Sequence, residues 1–440
     1  MTPAGIGRKL SVHPEPVTAL KLPHLIVDET IGALREIFVE RRYADKCVEF
    51  VFKRRRKWGS RDRRLFAEAV YDIVRWWRWL WHAAGLPDAE HDDRESITEE
   101  RLWQVWAAYW LQAGHELPDF DELYAVRADA MQARLRQGDD VSPAVRASLP
   151  DWLDALLSDQ LGDAWPAVRA QLNKPAEVFL RVNTLKTERR SLKTRLAQDG
   201  FVTEAVDDVP TALRMAQRYN VFGLPAFKEG LFEVQDASSQ RIAPFLQVEP
   251  GQKVVDACAG AGGKSLHLAA LMQNKGKIIA LDIHEWKLKE LRKRAARAGA
   301  DLIETRPIDS SKTFKRLAGY ADRLLLDVPC SGLGVLRRNP DAKWKLHPAE
   351  IERLTALQQD LLSRYSAMVK PGGKLVYATC SVLPAENERQ VQAFLATRGD
   401  EWTLEEELFL NPAETGHDGF YAARLVRKSV GKAVEVAAEA

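Results

Sequence analysis

Two of the four cysteines stand where a thiol could do chemistry. Cys330 lies in Asp327-Val328-Pro329-Cys330-Ser331-Gly332-Leu333-Gly334, directly after an apolar run, and Cys380 lies in Tyr377-Ala378-Thr379-Cys380-Ser381, directly after another. A lone cysteine is ordinarily a small hydrophobe in a core. Two that each follow a strand-like run share one edge of the sheet when those strands are parallel, and an accessible thiolate there is a nucleophile. Metal binding is the competing use. The chain has no CxxC pair and no histidine at ligand spacing, so no metal site is expected.

A second chemical feature is the run Val254-Val255-Asp256-Ala257-Cys258-Ala259-Gly260-Ala261-Gly262-Gly263-Lys264, a strand, a glycine-rich turn and a helix start. Such glycines let backbone N–H groups approach a ligand at a helix N-terminus. The run is neither a P-loop nor a dinucleotide fingerprint, because Ser265 stands where the third glycine belongs. Acids sharpen the reading. Asp282 ends the next strand, 26 residues after Asp256, where a carboxylate can accept from both hydroxyls of a ribose. Asp309 follows the third strand and Asp327 ends the fourth. Four acids in phase with a sheet suit a nucleoside carrying a positive charge better than a pyrophosphate.

The elements that must position these groups alternate. Strands are expected at 253–256, 277–282, 302–305, 322–327 and 374–378, with helices at 264–272, 285–298 and 348–368 between them. That order implies right-handed βαβ units and a parallel, doubly wound α/β sheet with ligands at its carboxyl edge. Before it, 150–247 reads as a small α+β segment, with helices at 151–161, 165–172 and 191–198 and strands at 178–183 and 231–234. Residues 1–149 read as helical. Their spaced apolar residues run from Leu65 to Trp77, Ser60 is the expected N-cap, and Trp103, Trp106 and Trp110 repeat at core spacing. A turn is expected at Asp139–Pro143, and 429–440 is expected to be a flexible tail.

Bulk properties exclude several classes. No apolar run approaches the ~18 residues that span a bilayer, and the first residues show no secretory signal, so a cytoplasmic protein without membrane contact is expected. Four cysteines in 440 residues are too few for a disulfide framework. The net charge of +2 hides an asymmetry: between Arg35 and Arg78 stand fourteen Lys or Arg against seven Asp or Glu, densest at Lys53-Arg54-Arg55-Arg56-Lys57. Such a run can neutralise phosphates, or it can be a solvated helix end.

The cysteine and glycine motifs resemble those of the Sun/Fmu-type RNA cytosine-C5 methyltransferases of the Nop/Sun family. The resemblance rests on CAGAGGK at Cys258–Lys264, DVPCSGLG at Asp327–Gly334, RRNPDAKW at Arg337–Trp344 and YATCSVLPAENE at Tyr377–Glu388. It extends to RVNTLK at Arg181–Lys186, VQDASSQ at Val234–Gln240 and DGFYAARL at Asp418–Leu425. It covers about Pro150 to Lys428. The helical part, with Gly59-Ser60-Arg61-Asp62-Arg63-Arg64, resembles the NusB-like domain of the bacterial ribosomal members. The family's turn is commonly CAAPGGKT, from which this chain departs at Gly260, Ala261 and Ser265. Ala342 replaces the isoleucine of PDIKW.

The resemblance implies a Rossmann-like S-adenosylmethionine methyltransferase domain at 248–428, an RNA-recognition subdomain at 150–247 and an RNA-binding NusB-like domain at 1–149. It makes Cys380 the nucleophile and Cys330 the residue that aids product release. Asp327 would contact the base near N3, and Lys264 would position the base or the RNA backbone. Cys258, Ala259, Gly260, Ala261, Gly262, Gly263, Lys264, Asp282, Asp309 and Asp327 would line the S-adenosylmethionine site. RVNTLK and the basic helices would grip RNA, read by shape and phosphate contacts. Ribosomal RNA is the expected substrate and a monomer the expected state. The same chemistry on tRNA and a catalytically silent assembly factor are the alternatives. A nicotinamide enzyme lacks its third glycine here, and an amino-methylating enzyme would carry N/D-P-P-Y/F where this chain has DVPC.

Overall fold

β-branched and leucine-rich runs separated by glycine turns pair into two sheets in the computed structural model, which describes residues 22–137 and 140–429. The chain divides into a unit up to Val141 and a unit from Ser142. The tail beyond 429, the first residues read for a leader and part of the expected Asp139–Pro143 turn lie outside the described residues.

The first unit is helical, with its longer helices at His24–Phe38, Ala44–Arg54, Ser60–Arg75 and Glu99–Gln112. Trp103, Trp106 and Trp110 are buried, and the last two stack with ring centroids 5.4 Å apart, so the tryptophan stripe is core. Ser60 is the first helical residue and Gly59 occupies the cap; the Ser60 hydroxyl does not cap the helix as expected. The basic run closes the helix Ala44–Arg54. Arg54 and Arg55 both pair with the buried Glu29, and Lys53 pairs with Glu49 at 2.7 Å, so much of its charge is neutralised within the unit.

The second unit opens ahead of the expected junction at 149/150. Leu149 is buried with Leu153, Leu157 and Leu172 of the following helices, against Leu333 and Leu383 from the two cysteine loops. Next comes a four-stranded antiparallel sheet of β1 (Phe179–Val182), β2 (Thr203–Ala205), β3 (Ala212–Met215) and β4 (Phe232–Val234), in the order β2-β3-β1-β4. Strands β2 and β3 were not expected; they are short and lack strong alternation.

The large sheet has seven strands: β5 (Lys253–Asp256), β6 (Lys277–Asp282), β7 (Ile303–Pro307), β8 (Ala321–Asp327), β9 (Val369–Thr379), β10 (Trp402–Leu410) and β11 (Phe420–Arg427). Their order is β10-β11-β9-β8-β5-β6-β7, with β5 to β9 parallel and β10 and β11 antiparallel. Both faces are covered. Val255, Leu324 and Leu326 belong to one buried cluster, Val254 and Leu325 to the other. The strand order reverses between β5 and β8, which opens a crevice at their carboxyl ends. Strands β10 and β11 and the helix Glu388–Arg398 were not expected. Strand β10 reads as polar because it is an edge: Glu405 and Glu406 pair with Arg424, and Glu405 also pairs with Lys374 at 2.8 Å. The expected helix 348–368 is an α-helix at Pro348–Tyr365 that tightens into a 3₁₀ turn at Ser366–Met368. Among the described residues no helix is long and apolar enough to cross a membrane.

Candidate active site

Parallel strands β8 and β9 deliver Cys330 and Cys380 to one place. Their Sγ atoms are 3.4 Å apart, both in partly exposed positions. The sequence-level expectation that the two thiols share an edge is realised as direct contact. The Cys330 thiol is pushed well above its ordinary value, first by its hydrogen bond with Cys380 and then by burial.

The two loops are fastened to each other. Ser331 Oγ lies 3.2 Å from Ser381 Oγ. The fully buried Glu386 carboxylate accepts from the Ser331 N–H at 2.8 Å, from the Ser331 hydroxyl, and from Gln358 Nε2 at 3.0 Å. Gly334 donates its N–H to the Cys380 carbonyl at 2.9 Å, and its own carbonyl accepts from the Gly419 N–H at 2.8 Å. A Cβ on Gly334 would collide with the Gly419 carbonyl, so only glycine fits there. Glu386 and Gln358 have no chemical signature in sequence: one is an acid in a polar stretch, the other a polar residue on a long helix. Their role appears only with the fold.

Beside the thiols, Lys264 Nζ donates to Asp327 Oδ2 at 2.6 Å and lies 5.3 Å from the centre of the Phe420 ring. Burial works against the Lys264 ammonium, but the Asp327 carboxylate outweighs it and raises the pKa. Phe420, from the unexpected β11, makes part of this wall.

The glycine turn joins β5 to the helix Gly263–Leu271. Gly260 and Gly262 have φ of +55° and +86°, a region costly for other residues. A Cβ on Gly260 or Gly263 would meet nothing within 4 Å, so open space lies beside the turn. Asp282 accepts from the Gly260 N–H at 2.9 Å and from the His284 N–H at 2.8 Å, one to each oxygen. Each oxygen keeps a lone pair for a further donor. Ile283 next to it is 67% exposed, an apolar platform that the sequence reading did not single out. The open cradle, the carboxylate and the exposed Ile283 together fit a nucleoside.

The four strand-end acids do not form one rim. Asp256 is buried beneath the turn and accepts from Ser265 Oγ at 2.6 Å. Burial raises its pKa to about 7. Asp309 is exposed, its carboxylate accepting from Thr313 Oγ1 at 2.9 Å, which lowers its pKa. Asp282 and Asp327 stay tied to the turn itself, through the Gly260 N–H and the Lys264 ammonium. Cys258, after β5, has its thiol pushed well up by burial. Cys47 is buried among the helices of the first unit. The RVNTLK motif turns Arg181 and Asn183 inward and leaves Thr184 and Lys186 exposed. Arg181 and Asn183 are buried, and Asn183 Nδ2 donates to the Gly230 and Ala298 carbonyls at 2.8 Å. Lys186 Nζ donates to the Glu229 and Arg297 carbonyls at 2.8 and 2.7 Å.

Comparison with known proteins points the same way. Residues 243–426 match the model of the 16S rRNA methyltransferase RsmB/F family, and residues 149–222 match the RsmF/B-like ferredoxin-like domain. The chain is 38% identical over 433 residues to the Synechocystis sp. protein named "Probable ribosomal RNA small subunit methyltransferase B", covering 89% of this chain and 97% of that one. A Bacillus subtilis protein of the same name is 34% identical, over 65% of this chain and 68% of its own. Among solved structures, the protein PH0851 shares 26% identity with a TM-score of 0.76, covering 92% of this chain and 99% of that one. A methyltransferase homologue from Pyrococcus horikoshii shares 28% identity with a TM-score of 0.58, covering 65% of this chain and all of that one.

The raised pKa of Asp256 has a pH consequence. An acid whose folded pKa lies above its unfolded value of 3.8 favours the fold at low pH and loses that contribution as pH rises towards about 7. Asp256→Asn, which mimics the protonated form, is expected to raise the melting temperature relative to wild type more at pH 8 than at pH 5. An equal difference at both values would show that Asp256 does not titrate in this window.

Proposed function

Starting from a chain that belongs to the RsmB/F family of 16S rRNA methyltransferases, we propose that it methylates carbon 5 of a cytosine in small-subunit ribosomal RNA through a covalent adduct with Cys380. The observation that carries this reading is the pair of thiols in contact at the sheet edge, next to the Lys264–Asp327 ion pair. One nucleophile would suit many enzymes. Two thiols meeting beside an ion pair suit a reaction that must both attach to a base and detach from it.

The residues divide the work as follows. Carbon 5 of cytosine is a weak nucleophile while the ring is aromatic. Addition of the Cys380 thiolate at C6 breaks that aromaticity, and the electron pair moves towards C5 and N3. Asp327 contacts the base near N3, and Lys264 holds Asp327 and stabilises the negative charge that develops there. S-adenosylmethionine, when bound, supplies an electrophilic methyl on a sulfonium. The turn from Cys258 to Lys264, with Asp282 and Asp327, would hold that donor. Asp282 would accept from the ribose hydroxyls, and the exposed Ile283 would offer an apolar face to the adenine. C5 takes the methyl as the methyl–sulfur bond breaks and S-adenosylhomocysteine leaves. The C5 proton then passes to water, its electron pair re-forms the C5=C6 bond and the Cys380 sulfur departs as a thiolate. Cys330, in contact with that sulfur, serves this release. The target base must leave its stack to reach the crevice. Two free working thiols also suit the reducing cytosol.

The names of the relatives favour small-subunit ribosomal RNA over tRNA. The intact thiol pair disfavours a silent assembly factor.

Cys380→Ala is expected to lower methyl transfer by on the order of a thousandfold or more while RNA still binds; full turnover in that variant would end the nucleophile assignment. Cys330→Ala is expected to accumulate a covalent protein–RNA adduct, seen as a band that survives a denaturing gel. If RNA is methylated and released normally, Cys330 has no part in release. Bisulfite sequencing of ribosomal RNA from cells with and without the protein identifies the modified base, and an unchanged cytosine pattern would overturn the C5 reading.

A further inference from the structure

The donor turn is gripped through its carbonyls. Arg181 of β1 donates to the Gly263 carbonyl and to Gln235 Oε1. Arg294, on the helix Glu285–Ala298, donates to the Ala261 carbonyl at 2.8 Å and to Glu233 at 2.9 Å. Glu233 lies on β4, directly across from Arg181 in the strand register, and also pairs with Arg297. The centre of this network is buried, with Arg181 3% exposed and Glu233 4%, while Arg294 and Arg297 are half-buried at its margin. Asn183 and Lys186 fasten the same small sheet to the C-terminal carbonyls of the helix Glu285–Ala298. Gly262 packs on Leu291 of that helix so closely that a Cβ would collide.

These contacts have a direction. A peptide unit is planar and trans, so fixing its C=O fixes the N–H on its opposite side. The Gly263 carbonyl shares its peptide with the Lys264 N–H, in the first turn of the helix, where N–H groups lack intrahelical partners and face a ligand. Lys264 also carries the ammonium that holds Asp327. Arg181 therefore orients at once the helix N-terminus beside the open cradle and the backbone from which the Lys264 side chain leaves. Burying a guanidinium is costly, and burial lowers the Arg181 pKa to about 9. A structural tie between two segments needs no charge; a charged donor makes a stronger hydrogen bond to a carbonyl that must not rotate.

We propose that Arg181 and Arg294 are positioning residues for the methyl donor, and that the small antiparallel sheet, through Arg181 and Glu233, is part of the donor site. This rests on the glycine turn being that site, as proposed above.

The test uses the full-length protein and S-adenosylhomocysteine as the calorimetric probe, with initial rates measured against donor and RNA separately. Arg294→Met is expected to weaken the probe's Kd and raise the donor KM roughly tenfold, about 1.4 kcal/mol. kcat at saturating donor and the KM for RNA should stay within about twofold. Arg294→Lys, which restores one charged donor, is expected to recover part of the loss. Arg181→Met is expected to act in the same direction; should it fail to fold, Arg294 decides alone. Wild-type affinity for the probe in Arg294→Met overturns the proposal, as does a loss confined to kcat. A wild-type protein that does not bind the probe would instead remove the donor-site reading itself, so the two failures are told apart.

Discussion

The site depends on one buried carboxylate. Glu386 has no access to solvent, and it accepts from the Ser331 N–H, the Ser331 hydroxyl and Gln358. Ser331 follows Cys330, and Glu386 stands six residues beyond Cys380. The carboxylate therefore closes a ring between the loop after β8 and the loop after β9. Without it the two sulfur atoms would sit on separate loops, each free to choose its own conformation. An uncompensated buried carboxylate is very unfavourable, so the donors around it are obligatory. The Gly334–Cys380 and Gly334–Gly419 backbone hydrogen bonds add a second ring, which reaches β11. A thiol–thiol contact of 3.4 Å is thus set by buried groups other than the thiols themselves.

What the sequence made legible follows from what leaves a periodic or compositional trace. Strands β5, β6 and β8 are short, largely apolar runs that end on an acid, and the sequence places them closely. Strand β7 is a half-exposed edge, and β9 starts five residues ahead of the expected 374 through its polar, glycine-containing first half. The glycine turn and the two cysteines are rare residues in rare settings. The antiparallel half of the sheet left no such trace. Strand β10 carries Glu405, Glu406 and Glu407 because it is an edge. Strand β11, with the sequence FYAARLVR, has no polar–apolar alternation and is buried over its first six residues, because it lies between two strands. Glu386 and Gln358 were illegible for another reason: a buried acid and an exposed one look alike until the fold supplies the donors.

The four strand-end acids show how one spacing pattern can lead to four different surroundings. All four stand at or just beyond carboxyl ends of parallel strands, as the alternation required. Their surroundings then divide them. Asp282 is held by two backbone N–H groups, and Asp327 by Lys264. Asp256 is roofed over by the turn and keeps one carboxylate oxygen without a hydrogen-bond partner. Asp309 stands in solvent with a local threonine. Sequence spacing fixes which edge a side chain belongs to; the depth of burial there comes from the loop that follows.

RVNTLK carries the same lesson further. A run with an arginine, an asparagine and a lysine reads as a surface for phosphates, since those side chains are the usual donors to RNA. Here each of these side chains donates to protein carbonyls: Arg181 to Gly263, Asn183 to Gly230 and Ala298, Lys186 to Glu229 and Arg297. Helix ends and glycine turns expose carbonyls that regular structure cannot satisfy, and a cationic or amide side chain from a neighbouring strand is a natural partner for them. The motif is therefore a staple between the two sheets of one unit. Charge in a sequence marks a need for a partner, and inside a folded chain the nearest unmet need is often the backbone itself.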